Sequence, residues 1–310
     1  MRRGATRGGR SQRTLTRVAD SLAHQLPWTD LANPYPALEP LSGDQLDAIH
    51  EASMTVLEDC GIEVLSERVR TRFRGVGARV DDRDRIVRPD RELVLDLVAR
   101  APGTFSLTPR NPDHCLEVGG AHIHFGMVSG PPNVHDCVNG RRPGNFADYE
   151  RLVQLGQTFN VIHFFGNQAV APIDLPAQTR HLDTYRASLM LSDKVFSAVP
   201  IGRGRVIDAI EMVARARGLS LEELAISPSL FGNININSPR KLDEAMSEAA
   251  LALAEHGQAV IVTPFTLMGA MTPVTLAAGL AQQNAEALFG IAMVQLFSPG
   301  APTVYGGFTS

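Results

Sequence analysis

The residues best placed to touch a ligand in this chain are almost all neutral. If the apolar runs are strands and the working groups sit where those strands end, the successive ends carry Ser129 and Gly130, then Asn167 and Gln168, then Ser197. Next come Asn233, Asn235 and Asn237, then Thr263, Phe265, Thr266 and Gly269, and finally Tyr305, Gly306, Gly307 and Phe308. No carboxylate, lysine or cysteine falls at any of these ends. Amides, hydroxyls and rings suit holding a ligand by neutral hydrogen bonds and aromatic faces better than shuttling protons. A tertiary or quaternary ammonium group makes that demand, because it has few or no donors and prefers π faces. Taken singly, each residue has a plainer reading, in which it only satisfies a loop or a cap.

Other chemistries leave weaker marks. His122-x-His124 puts two imidazoles on one face of a strand, the way a metallohydrolase barrel begins a zinc site. Such a site needs further histidines or a lysine from the fourth and fifth strands, which contain none, so no metal is expected. His163 falls early in its strand and is expected in the core. There is no P-loop, no HExxH, no GxSxG elbow and no Asp-x-His-x-x-Gly of a cobalamin-binding domain. Cys60, Cys115 and Cys137 are far apart and odd in number, which fits buried free thiols in a reducing compartment.

The elements that would position these residues follow a repeating cycle. Helical periodicity covers 145–158, 175–192, 206–217, 239–256 and 275–297, with a short connecting helix at 221–224. Between them, apolar runs at 122–128, 161–169, 194–200, 231–237, 259–267 and 302–308 read as strands. This alternation specifies parallel βαβ units, and without an early GxGxxG turn it favours a barrel over a dinucleotide-binding sheet. The predicted fold class is therefore an α/β (β/α)8 TIM barrel, catalytic domain 104–310, apparently truncated after strand six. A small helix-rich N-terminal domain is predicted at 41–103, with helices opening at Ser42 or Asp44, at Glu67 and at Pro89-Asp90.

Residues 1–40 read as a disordered basic tail and linker, with Arg2, Arg3, Arg7, Arg10, Arg13 and Arg17 among Gly, Ser and Thr; an RNA-binding or targeting arm is the alternative. Over all 310 residues the net charge is −4, so no global field calls for nucleic acid. No apolar run is long enough to cross a bilayer and no h-region follows the arginines, so a cytoplasmic protein is expected. The apolar stretch 275–297 suits either a subunit interface in a homo-oligomer or an inner core helix.

Four segments carry a family likeness. "GPPNVHDCVNGRRPGNFADYERLVQLGQ" (130–157) and "PFTLMGAMTPVTLAAGLAQQNAEALFGI" (264–291) resemble the trimethylamine methyltransferase family, as do "ASMTVLEDCGIEVLSERVR" (52–70) and "GAPTVYGGFTS" (300–310). The likeness runs over nearly everything from Leu41 to Ser310, and the segment 264–291 is its most specific part.

The resemblance implies a (β/α)8 barrel that binds a methylated amine of the trimethylamine or glycine betaine type. It would present one N-methyl to the Co(I) of a corrinoid (cobalamin) carried by a separate partner protein, which fits the missing cobalamin motif. On that reading Asn167, Gln168, Asn235 and Asn237 are amide contacts to a substrate carboxylate or to the corrinoid edge. Phe265, Tyr305 and Phe308 are aromatic contacts, and Thr266 and Ser129 are hydroxyl candidates. Gly269, Gly306 and Gly307 would let a flat macrocycle approach the backbone. No catalytic residue is assigned, and a member without pyrrolysine is expected. Two rivals remain: a metal-dependent barrel hydrolase using His122 and His124, and a non-catalytic betaine-binding protein.

Overall fold

The computed structural model describes residues 25–310, so the arginine-rich run expected to be disordered lies outside the described residues. Residues 25–33, read as tail and linker, are instead tied down. Strand β1 (Leu31–Ala32) pairs antiparallel with His122–Ile123.

Helix α1 (Gly43–Thr55) starts where its sequence dictates: Ser42 accepts from the Gln45 N–H, and the Gln45 side chain accepts from the Ser42 N–H. A π-helical turn at Val56–Cys60 follows, then β2 (Ile62–Val64), α2 (Glu67–Arg74), β3 (Arg79–Asp81), β4 (Ile86–Arg88) and α3 (Arg91–Val98). The three expected helices are present, and β2, β4 and β3 add an antiparallel sheet. Three-residue strands are too short to show alternation.

Strands β5 (Thr104–Leu107) and β6 (Leu116–Gly119) form a hairpin. The single strand predicted at 122–128 is two short ones, β7 (His122–Ile123) and β8 (Gly126–Met127). The break has a visible cause. His124 Nε2–H donates to the Glu117 carbonyl at 2.8 Å, and the Phe125 carbonyl accepts from His163 N at 2.8 Å, so the chain changes partners between the two residues. A further hairpin, β9 (Asn133–Asp136) and β10 (Gly140–Pro143), interrupts the loop that follows.

The rest is the repeating cycle: α4 (Phe146–Thr158), β11 (Phe164–Phe165), α5 (Arg180–Leu191), β12 (Val195–Phe196), α6 (Arg203–Arg217) and α7 (Leu221–Ala225). Then come β13 (Phe231–Ile236), β14 (Lys241–Leu242), α8 (Glu244–Glu255), β15 (Ala259–Thr266), α9 (Leu276–Phe297), β16 (Thr303–Tyr305) and β17 (Phe308–Thr309). Strands β8, β11 and β12 run parallel; a parallel bridge from Ser197 to Phe231 leads on to β13, β15 and β16, and β17 pairs the end of β15. The architecture is mixed α/β with its parallel strands in chain order. Among the described residues β8 and β16 do not pair, so the ring is open.

Two helix starts differ from expectation. Helix α5 begins at Arg180 and not near 175. Helix α8 is capped by Asp243, whose carboxylate accepts from the Met246 N–H at 2.7 Å; Pro239, taken as its start, lies in a turn leading into β14. That strand pairs parallel with β2, Lys241 opposite Glu63, which ties the N-terminal sheet to the repeating part.

Helix α9 joins the two regions as a core helix. Its buried residues run almost unbroken from Ala285 to Leu296, Phe289 stacks on Phe73 at 4.9 Å, and Asn284 donates to Ser53 at 3.0 Å. Burying a ring such as Phe289 stabilises by roughly 1.5–3 kcal/mol over leaving it exposed. Gly290 lets α9 approach β15: a Cβ there would lie 2.5 Å from Val262. The cysteine expectation needs correction. Cys60 and Cys137 are exposed and Cys115 is half-buried. Cys60 closes the π turn and Cys137 sits in the β9–β10 turn, where no core is available to enter. Among the described residues no helix is long and apolar enough to cross a membrane.

Candidate functional site

A cavity of about 630 Å³ opens at the carboxyl ends of the parallel strands. Period-two alternation decides which side chains enter it. From β8 and its loop come Met127, Ser129 and Gly130; from β11, Phe164, Gly166 and Asn167; beyond β12, Ser197, Pro200 and Ile201. Strand β13 contributes Phe231, Asn233 and Asn235, β15 contributes Ile261 and Thr263, and the β16–β17 connection supplies Gly306, Gly307 and Phe308. Met246 closes one side from α8.

Every one of these residues is neutral. The Thr263 hydroxyl donates to Asn233 Oδ1, which leaves the Asn233 amide nitrogen as a free donor. Phe164 and Phe231 meet edge to face, 5.3 Å apart, at the inner end. At the rim, Phe308 stacks on Phe265 with centroids 4.7 Å apart. Gly166 is required by the wall: a Cβ would run into the Ser129 side chain.

The structure gathers Ser129, Asn167, Asn235, Gly306, Gly307 and Phe308 from the sequence-derived set. The others lie elsewhere. The Gln168 carbonyl accepts from Gly130 N at 2.7 Å, and its side chain is not among the lining groups. Asn237 is beyond the end of β13, with its amide on Asp243 at 2.9 Å. Tyr305 faces α9, its hydroxyl 3.3 Å from Asn284. Thr266 also faces α9 and bonds Gln283 at 3.1 Å. Gly269 occupies a turn with φ 81, and Phe265 supports Phe308 from behind without lining the cavity. Sequence reasoning passed over Phe164, Phe231, Asn233 and Thr263 as contacts. Period two from Asn235 and Gly166 would have reached three of them.

The histidine pair lies at the opposite end of the strands. His122 Nδ1 is 3.0 Å from Asp30 Oδ2, while the two imidazole centroids stand 6.4 Å apart. Among the described residues no group of three or more His, Cys, Asp or Glu could hold a metal ion. His163 is 1% exposed, a core histidine as expected. The largest surface hollow besides, about 420 Å³ between β9–β10 and α4, holds the Arg142–Asp148 ion pair and lies away from the strand ends.

Fold and site together define a parallel α/β protein with a neutral, amide- and ring-lined cavity at its strand ends. The family model for trimethylamine methyltransferase (MTTB) matches residues 6–310, and the chain belongs to that family. It is 35% identical over 271 residues to a glycine betaine methyltransferase of Desulfitobacterium hafniense, covering 87% of this chain and 56% of that protein. It is 28% identical over 275 residues to a trimethylamine methyltransferase MttB of the same species, covering 88% and 55%. A proline betaine:corrinoid methyltransferase of Eubacterium limosum is 26% identical over 278 residues, 86% of this chain and 56% of that one. The chain thus spans about half the length of the curated relatives it matches. Among solved structures, that of a hydroxylamine complex of MtmB matches in fold with a TM-score of 0.51 and 11% identity, covering 95% of this chain and 64% of that one.

Proposed function

We propose that this chain forms the site-bearing part of a (β/α)8 barrel that moves a methyl group from a tertiary or quaternary methylated amine to a corrinoid carried by a separate protein. The observation that carries the reading is the cavity's neutrality, in a chain of this family. Transfer of a methyl cation equivalent from a quaternary nitrogen requires no general base, so a site without acids or bases is adequate for it. The domain reading stays with it: tail and linker to residue 40, N-terminal unit 41–103, barrel 104–310.

The corrinoid supplies the Co(I) nucleophile when its carrier docks. The residues present fit such a group, because Gly306 and Gly307 line the cavity without side chains and Ser129 adds a hydroxyl across from them. The chain's own residues bind, orient and exclude water. Phe308, backed by Phe265, offers a ring face to the ammonium methyls. Asn167, Asn233 and Asn235 offer amide donors. With no anionic side chain in the wall, a ligand bearing its own carboxylate suits the cavity better than a bare cation. That favours a betaine over trimethylamine and matches the 35% relative's substrate class.

The test is methyl transfer. The protein would be mixed with reduced corrinoid protein and, in turn, trimethylamine, glycine betaine, proline betaine, choline and carnitine, and methyl-corrinoid formation followed by absorbance. Transfer that depends on one amine supports the reading. Folded protein and active corrinoid giving no signal with any amine would sink it, and saturable binding without transfer would leave a betaine-binding protein.

A further inference from the structure

We infer that residues 25–33 are a strap across the N-terminal ends of the parallel strands, held by His163 and released by acid. The inference does not depend on methyl transfer.

The strap is anchored at three places. Asn33 N donates to the Ala121 carbonyl at 2.7 Å beyond the β1–β7 pair. Gln25 Oε1 accepts from Asn160 N at 2.9 Å, and Asn160 Nδ2 donates to the Leu26 carbonyl at 2.8 Å. In the middle stands His163, which commits both ring nitrogens. Its Nδ1 accepts from the Phe125 N–H at 3.0 Å, and its Nε2–H donates to the Thr29 carbonyl at 3.1 Å.

That pattern exists only in the neutral, Nε2–H form. A second proton on Nδ1 would set N–H against N–H in a place that is 1% exposed, where water cannot relieve it. The groups facing His163 also oppose the proton. The His124 ring is 5.5 Å away on one side, and Lys194 stands beyond Trp28, its ammonium 5.5 Å from the indole. Burial, those two groups and the backbone bonds together hold His163 below the usual histidine range.

Other pairs in the cluster pull the opposite way. His122 Nδ1 lies 3.0 Å from Asp30 Oδ2 on the strap, and His114 Nδ1 lies 2.9 Å from Asp193 Oδ1. Protonation strengthens both. Only the first ties the strap down by charge, and its side chains are 33% and 31% exposed, so solvent screens it. The buried group decides the sign, and acid opens the strap. Trp28, which the strap lays on the His114 ring at 4.2 Å, packs with Phe164 against the small apolar cluster around Phe231. Those two phenylalanines also floor the cavity at the other end, so the strap backs the candidate site.

Trp28 is the only tryptophan in the chain, so its emission reports on the strap alone. Emission maximum would be followed from about pH 8 to about pH 5, spanning the histidine range, alongside far-ultraviolet circular dichroism. The maximum is used because a protonated His114 can quench intensity without moving it. A red shift at the acid end with secondary structure retained is the expected result. H163Q, uncharged throughout, should abolish the shift, and H122A should move it to higher pH. An invariant wild-type maximum, or an unchanged transition in H163Q, overturns the inference. Should H163Q not fold, amide exchange of residues 25–33 in the wild type serves: rates that merely follow the chemical pH dependence overturn it, and acid-specific acceleration upholds it.

Discussion

Phe265 and Phe308 are register partners on adjacent parallel strands, and their rings lie 4.7 Å apart with planes 11° from parallel. Phe308 is 56% exposed and lines the cavity, while Phe265 stands behind it. The stack therefore fixes one ring face at the rim without burying it. Cation–π contact of a quaternary ammonium with such a face is worth about 1–2 kcal/mol, so F308A should weaken amine affinity by roughly tenfold. Melting temperature should hardly move, and F308Y should keep most of the affinity. Titration calorimetry with glycine betaine checks this; equal losses for alanine and tyrosine would count against a role for the ring face.

Thr263 and Asn233 make a second test. The threonine hydroxyl fixes which end of the Asn233 amide meets the cavity. N233L should therefore weaken carboxylate-bearing betaines by about tenfold, the value of one lost hydrogen bond to a charged group. Trimethylamine, which has no carboxylate, should be unaffected. The KM ratio of the two amines in wild type and variant is the measurement, and an equal loss for both would remove Asn233 from carboxylate recognition.

How far the sequence carried these readings depended on the range of the forces involved. Long periodic helices and six-to-eight-residue strands such as β13 and β15 were legible, because a local pattern determines which face is buried. Asn235 was reached this way. Asn237 was not, because the same period was extended past the end of β13, where the chain turns and Asp243 takes the amide. Short pairings with distant partners left no local trace. Strand β14 finds β2, and β1 finds β7, each over two residues. The histidine pair looked like the start of a metal site only while Asp30 and the strap were out of view.

Glu286 is the one carboxylate buried on α9, fully inside and just behind the β13–β14 turn. It accepts from Ser238 Oγ, from Arg240 N at 2.8 Å and from Gln282 Nε2 at 2.8 Å. Burial raises its pKa, with those donors pulling the other way. A carboxyl raised in the folded state adds stability that is full below its ordinary range and lost as pH climbs through the folded value. Wild type should therefore lose ground to E286Q, which cannot ionise there, as pH rises from acid to neutral. E286A, leaving three donors without an acceptor, should cost about 2–3 kcal/mol at any pH. Denaturant melts of the three proteins at several pH values test both statements, and a wild-type advantage that grows with pH would contradict the first.

Lys194 gives the opposite slope at the alkaline end. Its ammonium is 5% exposed and donates to the Gly156 and Phe159 carbonyls at 2.9 and 2.7 Å, closing the C-terminus of α4. Burial lowers its pKa from 10.5 to about 8, although Asp193 resists the shift. Between those two values the unfolded chain holds a proton that the folded chain has released, so stability from this group rises with pH across that window. The gain is of order 3 kcal/mol at most, from about 1.4 kcal/mol for each pKa unit. K194M lacks the titration, so the stability difference between wild type and K194M should move in favour of wild type from near-neutral to strongly alkaline pH. Chemical denaturation at matched ionic strength measures it. A flat difference would mean that the two carbonyls already repay the burial of the charge and that Lys194 titrates near its ordinary value.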